Sequence, residues 1–126
     1  MKKDRLIAKR SLGQNFITDE NFIKKLASLI ITSDNSSIIE IGPGKGALTK
    51  ELVKKKISRL LVIEKDDRLI DNLKIFAKEF QNFKIIHQDA LKIEYNKIID
   101  KNSIIVGNLP FNISSNLLMK WIFLNN

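Results

Sequence analysis

Three stretches of the sequence place polar or glycine residues directly after short apolar runs. The first is SIIEIGPGKG (residues 37–46), the second is LLVIE (residues 60–64) and the third is FKIIHQD (residues 83–89). Glycines allow a tight turn and let a ligand approach the backbone, and a helix that begins after such a turn offers free N–H groups to an anion or a carboxylate. Carboxylates at the ends of the other two runs can accept hydrogen bonds from hydroxyl or amino groups.

These residue types in this order favour a nucleotide ligand. Gly42, Gly44 and Ala47 satisfy the pattern G-x-G-x-x-A, and Glu64 follows about 20 residues later, where a carboxylate can accept from both hydroxyls of a ribose. Asp89 ends the third run and can accept from an adenine amino group. Glycine spacing alone does not separate a nicotinamide or flavin enzyme from another nucleotide binder. The combination predicts an adenosine-type ligand.

A fourth apolar run leads into the segment GNLPFNIS (residues 107–114). If this run is the next strand, Asn108 is presented beside the bound nucleotide, and its amide oxygen can accept from an exocyclic amine. Pro110 fixes the backbone direction, and the ring of Phe111 can stack on a base taken out of its helix. The structural alternative is that Asn108 caps a turn and Phe111 packs in the core. The residues alone leave both interpretations open.

The elements that must position these residues alternate along the chain. Residues 37–41, 60–63, 83–86 and 103–106 have the length and composition of strands, whereas residues 46–55 and 66–80 have helical spacing. Strands that alternate with helices predict an α/β fold with a doubly wound parallel sheet. Only four strands are visible before the chain stops. Doubly wound sheets usually have more strands, so we expect residues 1–126 to be the amino-terminal part of such a domain, truncated after the fourth strand.

Helix boundaries follow from capping residues. Thr18 or Asp19 can cap a first helix whose apolar face we expect to contain Phe22, Leu26 and either Leu29 or Ile30. Asp66 and Asp67 are expected to cap and charge the start of the helix that follows the second strand, rather than to bind ligand. A further apolar stripe follows the fourth strand and is expected to pack in the core.

Composition narrows the class of protein. The chain of 126 residues contains no cysteine and one histidine, which excludes disulfides and argues against a zinc site. It has no apolar run long enough to span a bilayer and no hydrophobic region typical of a signal peptide, so we expect a cytoplasmic protein without a metal or a membrane partner. The net charge is +8, and five of the first ten residues are basic, which favours a nucleic acid partner. Alternatively, such lysines serve solubility, and those at residues 54–56 interact with a helix end.

The chain resembles the ribosomal RNA adenine dimethyltransferase family, in particular its small-subunit branch. The resemblance is carried by LGQNF (residues 12–16), EIGPGKGALT (40–49), VIEKD (62–66), QDAL (88–91) and GNLPFNIS (107–114). The last motif is the most specific, since Asn-x-Pro-(Tyr/Phe) after the fourth strand is typical of methyltransferases that act on exocyclic amines. Phe111 stands where many relatives have tyrosine, and stacking requires only the ring.

The resemblance implies a Rossmann-like fold and S-adenosylmethionine as the cofactor, with small-subunit ribosomal RNA as the partner and adenosine N6 as the site of dimethylation. Glu64 is then expected on the ribose and Asp89 near the adenine. Other expected cofactor contacts are Asn15, Ile17, Gly42, Gly44 and Asn108. The target adenine is expected at Asn108, Leu109, Pro110 and Phe111, whose amide and carbonyl oxygens would orient the amine.

Several alternatives remain at this point. Enzymes that methylate large-subunit ribosomal RNA share QNF and the Asn-x-Pro-aromatic motif, although the proline of GPGKGALT and the Leu12-Gly13 pair favour the small-subunit branch. A non-catalytic RNA-binding or ribosome-assembly factor, or an inactive remnant, is the alternative from another class. Relatives continue into further strands and a helical RNA-binding domain. The fourth strand is therefore expected to expose an edge through which chains associate, with weakened cofactor binding and activity.

Overall fold

The computed structural model describes residues 19–107 together with Asn116, Leu117 and Met119. The helices and strands, in chain order, are α1 Glu20–Leu29, β1 Ser37–Ile41, α2 Ala47–Leu52, β2 Arg59–Glu64, α3 Asp67–Leu73, α4 Phe76–Glu79, β3 Phe83–His87 and β4 Ser103–Gly107. Two 3₁₀ helices, Ala90–Lys92 and Tyr95–Lys97, lie between β3 and β4. The four predicted strands are confirmed, and each end lies within one residue of its predicted position.

The strands form one parallel sheet in the order β3-β2-β1-β4. This is the strand order of a Rossmann-like fold, so the predicted fold class is confirmed. In such sheets the order reverses beside the first strand, here between β1 and β4, and ligands bind outside the carboxyl ends of the strands at that point. All five residues of β1 are buried, as expected for a central strand covered on both faces.

Two apolar clusters cover the two faces of the sheet. On one face, Ile38 and Val62 pack with buried side chains from all four helices, including Leu52 and Phe76. On the other face, Ile39, Ile41, Leu61 and Ile63 pack with Ile93, Tyr95 and Leu117. Successive strand residues contribute to opposite clusters, because side chains along a β-strand point alternately to the two faces of the sheet. The four named helices therefore all pack on the same face of the sheet.

Helix α1 begins at the predicted cap and buries part of the predicted face. The Asp19 carboxylate accepts from the backbone N–H groups of Asn21 and Phe22, at 3.0 and 3.2 Å. Leu26 and Ile30 pack against the core as predicted, together with the buried Ile23 and Ala27, whereas Phe22 is 53% exposed and was predicted wrongly. Helix α1 packs mainly against α2, whose Leu48 and Leu52 belong to the same apolar cluster as Ala27. Thr18 lies outside the described residues.

The helical pattern predicted over residues 66–80 is divided between α3 and α4. The amide of Ala77 donates to the carbonyl of Lys74 and that of Lys78 to Ile75, which are i to i+3 bonds at 3.2 and 3.1 Å. Such bonds tighten the helix and advance the side chains around its axis. Leu73 and Phe76 consequently both remain buried on either side of the break.

The lysines at residues 54–56 follow the end of α2, and their environments differ. The Nζ atom of Lys54 lies 3.2 Å from a carboxylate oxygen of Glu51. Lys55 is half-buried, and its ammonium donates to the backbone carbonyl of Ile30, at the end of α1, over 2.9 Å. Lys56 is exposed. Lys55 is thus the lysine of this run that binds a helix end, and the helix is α1. Helix α1 has no basic residue in its own last turn.

Within the part of the chain that the structure describes, β4 pairs with β1 alone. Its residues Ser103 to Val106 are half-buried, in contrast to the fully buried β1.

Among the described residues, no helix has the length and apolar character needed to cross a bilayer. No three His, Asp or Glu side chains among them are grouped as a metal site would require.

Gly46 is expected to tolerate no side chain. Its φ is +85°, and a Cβ atom built there would lie 2.6 Å from Cε2 of Phe76. Replacing Gly46 with Ala should therefore lower the free energy of unfolding by about 2 kcal/mol, measured by urea denaturation, because of the left-handed conformation and the collision. In a Phe76→Leu background the same change should cost about 1 kcal/mol, because only the conformational part remains. Equal costs in the two backgrounds would contradict the proposed collision.

Candidate functional site

The carboxyl ends of β1, β2 and β3 are tied side by side by backbone hydrogen bonds. The amide of Gly42, just after β1, donates to the carbonyl of Ile63 at 2.9 Å, and the amide of Gln88 donates to the carbonyl of Glu64 at 3.1 Å. The glycine turn, Glu64 and the segment that contains Asp89 therefore follow one another along one edge of the sheet. The predicted convergence of these three sequence features is confirmed.

The turn between β1 and α2 depends on glycine. Gly42, Gly44 and Gly46 have φ values of 65°, 60° and 85°, which lie in the left-handed region where a side chain is strained. The amide of Gly46 donates to the carbonyl of Pro43 at 3.0 Å and closes the turn. Three glycines within five residues leave this stretch of backbone with few side chains between it and a ligand.

Glu64 connects the turn to the end of β2. Its side chain accepts from the amides of Lys65 and Asp66, both at 3.0 Å, and from the amide of Gly44 at 3.3 Å. Burial raises the pKa of Glu64, with a contribution from the nearby Asp66 carboxylate, while the three backbone N–H groups oppose the rise. The bond to Gly44 is longer than the usual 2.9–3.0 Å, which leaves this oxygen weakly held and able to accept from a ligand hydroxyl.

The acids that follow Glu64 serve the next helix. Asp66 is buried and caps α3 by accepting from the amide of Arg68 at 3.0 Å, and it also pairs with the Arg68 guanidinium at 2.7 Å. Asp67 lies in the first turn of α3 and is 2.7 Å from Nε2 of His87 at the end of β3. The prediction that these two acids cap and charge the helix is confirmed, since Asp66 is the N-cap and Asp67 places a negative charge in the first turn.

Asp89 lies at the expected strand end, where it already has partners within the chain. Its Oδ1 accepts from the amide of Leu91 at 3.0 Å and so caps the first 3₁₀ helix, and its Oδ2 is 3.9 Å from Nζ of Lys65. The side chain is about one third exposed, so it remains accessible to a ligand. A contact between Asp89 and an adenine stays a prediction.

Six of the predicted site residues lie outside the described residues. These are Asn15, Ile17, Asn108, Leu109, Pro110 and Phe111. Gly107, the residue before Asn108, pairs with Ile41, the last residue of β1. Strand β4 therefore ends at the edge of the sheet at which the glycine turn lies.

Two further residues belong to this region and were not singled out from the sequence. Glu40, in β1, is 2% exposed, and its Oε2 accepts from Oγ1 of Thr49, a fully buried residue of α2, at 2.7 Å. Burial raises the pKa of Glu40 to about 7; the Thr49 hydroxyl opposes the rise, and the charge of Glu64 adds to it. The available signal was an acid within the otherwise apolar strand SIIEI, which requires a buried partner.

The sequence was compared with known families and proteins. Residues 5–126 match the family described as Ribosomal RNA adenine dimethylase. Ribosomal RNA small subunit methyltransferase A of Pelagibacter ubique is 46% identical over 115 residues, which cover 91% of this chain and 43% of that protein. The protein of the same name from Wolbachia pipientis wMel is 42% identical over 123 residues, which cover 97% of this chain and 43% of that protein. The chain thus spans less than half the length of these curated relatives.

Solved structures support the same fold. The 23S rRNA methyltransferase ErmE has a TM-score of 0.70 and 26% sequence identity, with 83% of this chain and 41% of that chain covered. A dimethyladenosine transferase from Plasmodium falciparum has a TM-score of 0.72 and 24% identity, with 86% and 38% covered. At that identity the second structure supports the Rossmann-like fold alone.

The stability of the chain is expected to depend on the protonation of Glu40. Its folded-state pKa of about 7 lies above the ordinary value of 4.5, so the folded chain holds a proton that the unfolded chain releases. The bound proton contributes about 3 kcal/mol to the free energy of unfolding. This stabilisation is fully present below pH 4.5 and is lost as the pH rises through about 7. Urea denaturation at several pH values should show this fall, and Glu40→Gln should remove it.

Glu79, an exposed acid of α4, offers the matched control for this measurement. The Glu79→Gln chain should keep the slope of stability against pH that the unmodified chain shows. An unchanged slope in the Glu40→Gln chain would mean that Glu40 is not the group responsible.

Proposed function

Because the chain belongs to the ribosomal RNA adenine dimethylase family, we propose that it binds S-adenosylmethionine and takes part in the dimethylation of adenosine N6 in small-subunit ribosomal RNA. The observation that supports the proposal most directly is the row formed by the glycine turn, Glu64 and the Asp89 segment at one edge of the sheet. In Rossmann-like folds this edge is where nucleotides bind.

The residues present suit the cofactor. Glu64 lies at the end of the strand next to the glycine turn, where a carboxylate accepts from both ribose hydroxyls, and its weakly held Oε2 is available for this. Asp89, one strand further, would lie near the adenine. Gly42 and Gly44 would let the cofactor approach the backbone, and Asn15 and Ile17 are further contacts implied by the resemblance. When bound, S-adenosylmethionine supplies a methyl group attached to a positively charged sulfur.

The target amine would be received by the segment that follows β4. Under the proposal the side-chain oxygen of Asn108 and the carbonyl of Leu109 or Pro110 accept from the adenine amino group, and the ring of Phe111 stacks on the base. Holding the amine in one orientation beside the cofactor is a major source of rate in such a reaction. The end of β4 at Gly107, at the edge that carries the glycine turn, supports the assignment.

The proposed substrate is ribosomal RNA of the small subunit. The relatives that are 46% and 42% identical are named small subunit methyltransferases, whereas the 23S rRNA methyltransferase structure is 26% identical. This difference favours the small-subunit branch over the large-subunit one. The five basic residues within the first ten would contact RNA phosphates, and a cytoplasmic location follows from a role on ribosomal subunits.

The outer edge of β4 suggests self-association. Among the described residues this edge of β4 has no strand beside it, and its apolar residues 104–106 are half-buried. Such an edge can pair with a second chain. Sedimentation velocity should show a larger species that grows with protein concentration, and a monomer at all concentrations would contradict the proposal.

Cofactor binding tests the first part of the proposed function. Isothermal titration calorimetry should detect binding of S-adenosylmethionine to the unmodified chain. Glu64→Ala should weaken it about tenfold to a hundredfold, because a charged acceptor for the ribose is lost. Glu64→Gln, which retains one acceptor oxygen, should lie between the two. Equal affinity in the folded Glu64→Ala chain would place Glu64 outside the site.

Methyl transfer tests the second part. Small ribosomal subunits are incubated with the chain and labelled S-adenosylmethionine. The weakened activity expected from the sequence predicts little label in N6,N6-dimethyladenosine, and Asn108→Ala should abolish it; robust labelling would contradict that expectation. Cofactor binding without any transfer to RNA would instead support the alternative of a non-catalytic RNA-binding or ribosome-assembly factor.

A further inference from the structure

The carboxyl group of Glu40 is buried at a position where an apolar residue would be expected. It lies in the middle strand of the sheet between Val62 of β2 and Val106 of β4. Its exposed fraction is 2%, and its only hydrogen-bond partner among the described residues is the Thr49 hydroxyl. Burying a carboxyl group costs free energy, which a single hydroxyl partner offsets only in part. Stability of the core alone therefore gives no reason for an acid here.

The hydrogen bond between Glu40 and Thr49 encloses the glycine turn. Glu40 lies two residues before Gly42, and Thr49 lies three residues after Gly46, in the first turn of α2. Gly46 is the N-cap of α2 and provides no side-chain hydrogen bond to the helix. The bond therefore joins the last part of β1 to the start of α2 beneath the turn. It restrains the two ends of a segment whose glycines would otherwise leave it free to move.

The same turn contacts Glu64 from its other side. The amide of Gly44 donates to Glu64 at 3.3 Å, so the orientation of this amide depends on the conformation of the turn. A shift of the ends of the turn would move Gly44 relative to Glu64. It would thereby change the spacing between the two groups that are proposed to hold the cofactor.

We propose that Glu40 and Thr49 are positioning residues, which act on the cofactor through the conformation of the glycine turn and do not touch it. The inference rests on the proposed binding of S-adenosylmethionine at this edge. The proposed cofactor and adenine contacts do not involve the buried carboxyl group of Glu40 or the buried hydroxyl of Thr49.

The test separates positioning from stability by means of matched variants. Thr49→Val removes the hydroxyl at nearly constant shape, and Thr49→Ser retains it. Ser36→Ala is the control, because Ser36 is buried and its Oγ accepts from the amide of Ser33 at 2.9 Å near the opposite end of β1. Free energies of unfolding from urea denaturation show how far each variant is destabilised.

Binding of S-adenosylmethionine and of S-adenosylhomocysteine is then measured by calorimetry on the folded chains. Thr49→Val should weaken both about tenfold, whereas Thr49→Ser and Ser36→Ala should stay within about twofold of the unmodified chain. Glu40→Gln should also retain most of the affinity, since an amide oxygen still accepts from Thr49. The double variant Glu40→Gln/Thr49→Val has no ionisable group at position 40 and gives the same comparison if Thr49→Val does not fold.

Amide hydrogen exchange supplies a readout that needs no cofactor. The amide of Gly46, which closes the turn onto Pro43, should exchange faster in Thr49→Val than in a Ser36→Ala chain compared at equal stability. Unchanged exchange at Gly46, or unchanged cofactor affinity in Thr49→Val, would overturn the inference. If the unmodified chain binds no cofactor, the proposed function fails, and exchange at Gly46 alone then decides whether Thr49 restrains the turn.

Discussion

In-register parallel pairing of β1 with both of its neighbours determines where every group of the candidate site lies. Ile41 is opposite Ile63 on one side and opposite Gly107 on the other, so three strands end at the same level. Because β1 is buried on both faces, a slip of one residue would exchange its side chains between the two apolar clusters and move the buried Glu40 to the wrong face. The apolar packing that fixes the register therefore also fixes the site.

The site combines buried acids with a basic chain. Glu40 and Glu64 lie on the same face of the sheet, since Glu40 pairs with Val62 and Glu64 is two residues further along β2. Burial raises the pKa of Glu40, and the charge of Glu64 adds to the rise. The cost of burying both acids is offset by a hydroxyl and three backbone N–H groups. The chain as a whole has a net charge of +8. Under the proposed function, the acidic edge suits a cationic cofactor, and the basic surface suits RNA phosphates.

Much of this arrangement could be predicted from the sequence, because it depends on short-range patterns. Apolar runs of strand length gave the strands, and the glycine turn and Glu64 could be assigned to adjacent strand ends because parallel strands end together. The exposure of Phe22 on α1 could not be predicted, because Phe22 and Ala27 lie on different sides of the helix and its neighbours decide which side is covered. The break before Phe76 depends on local i to i+3 bonds that leave the apolar spacing intact. The partner of Glu40 lies on the next helix, so only the tertiary structure reveals it.

The hydrogen bond between Lys55 and the end of α1 makes one lysine chemically distinct within a run of three. An amine reacts with an acylating reagent only when its nitrogen is accessible and its lone pair is free of other partners. The half-buried ammonium of Lys55 is held by the carbonyl of Ile30, whereas the adjacent Lys56 is exposed. Acylation would therefore begin at Lys56. Modification of Lys55 would in addition release the last carbonyl of α1, so that labelling at this residue reports the separation of α1 from α2.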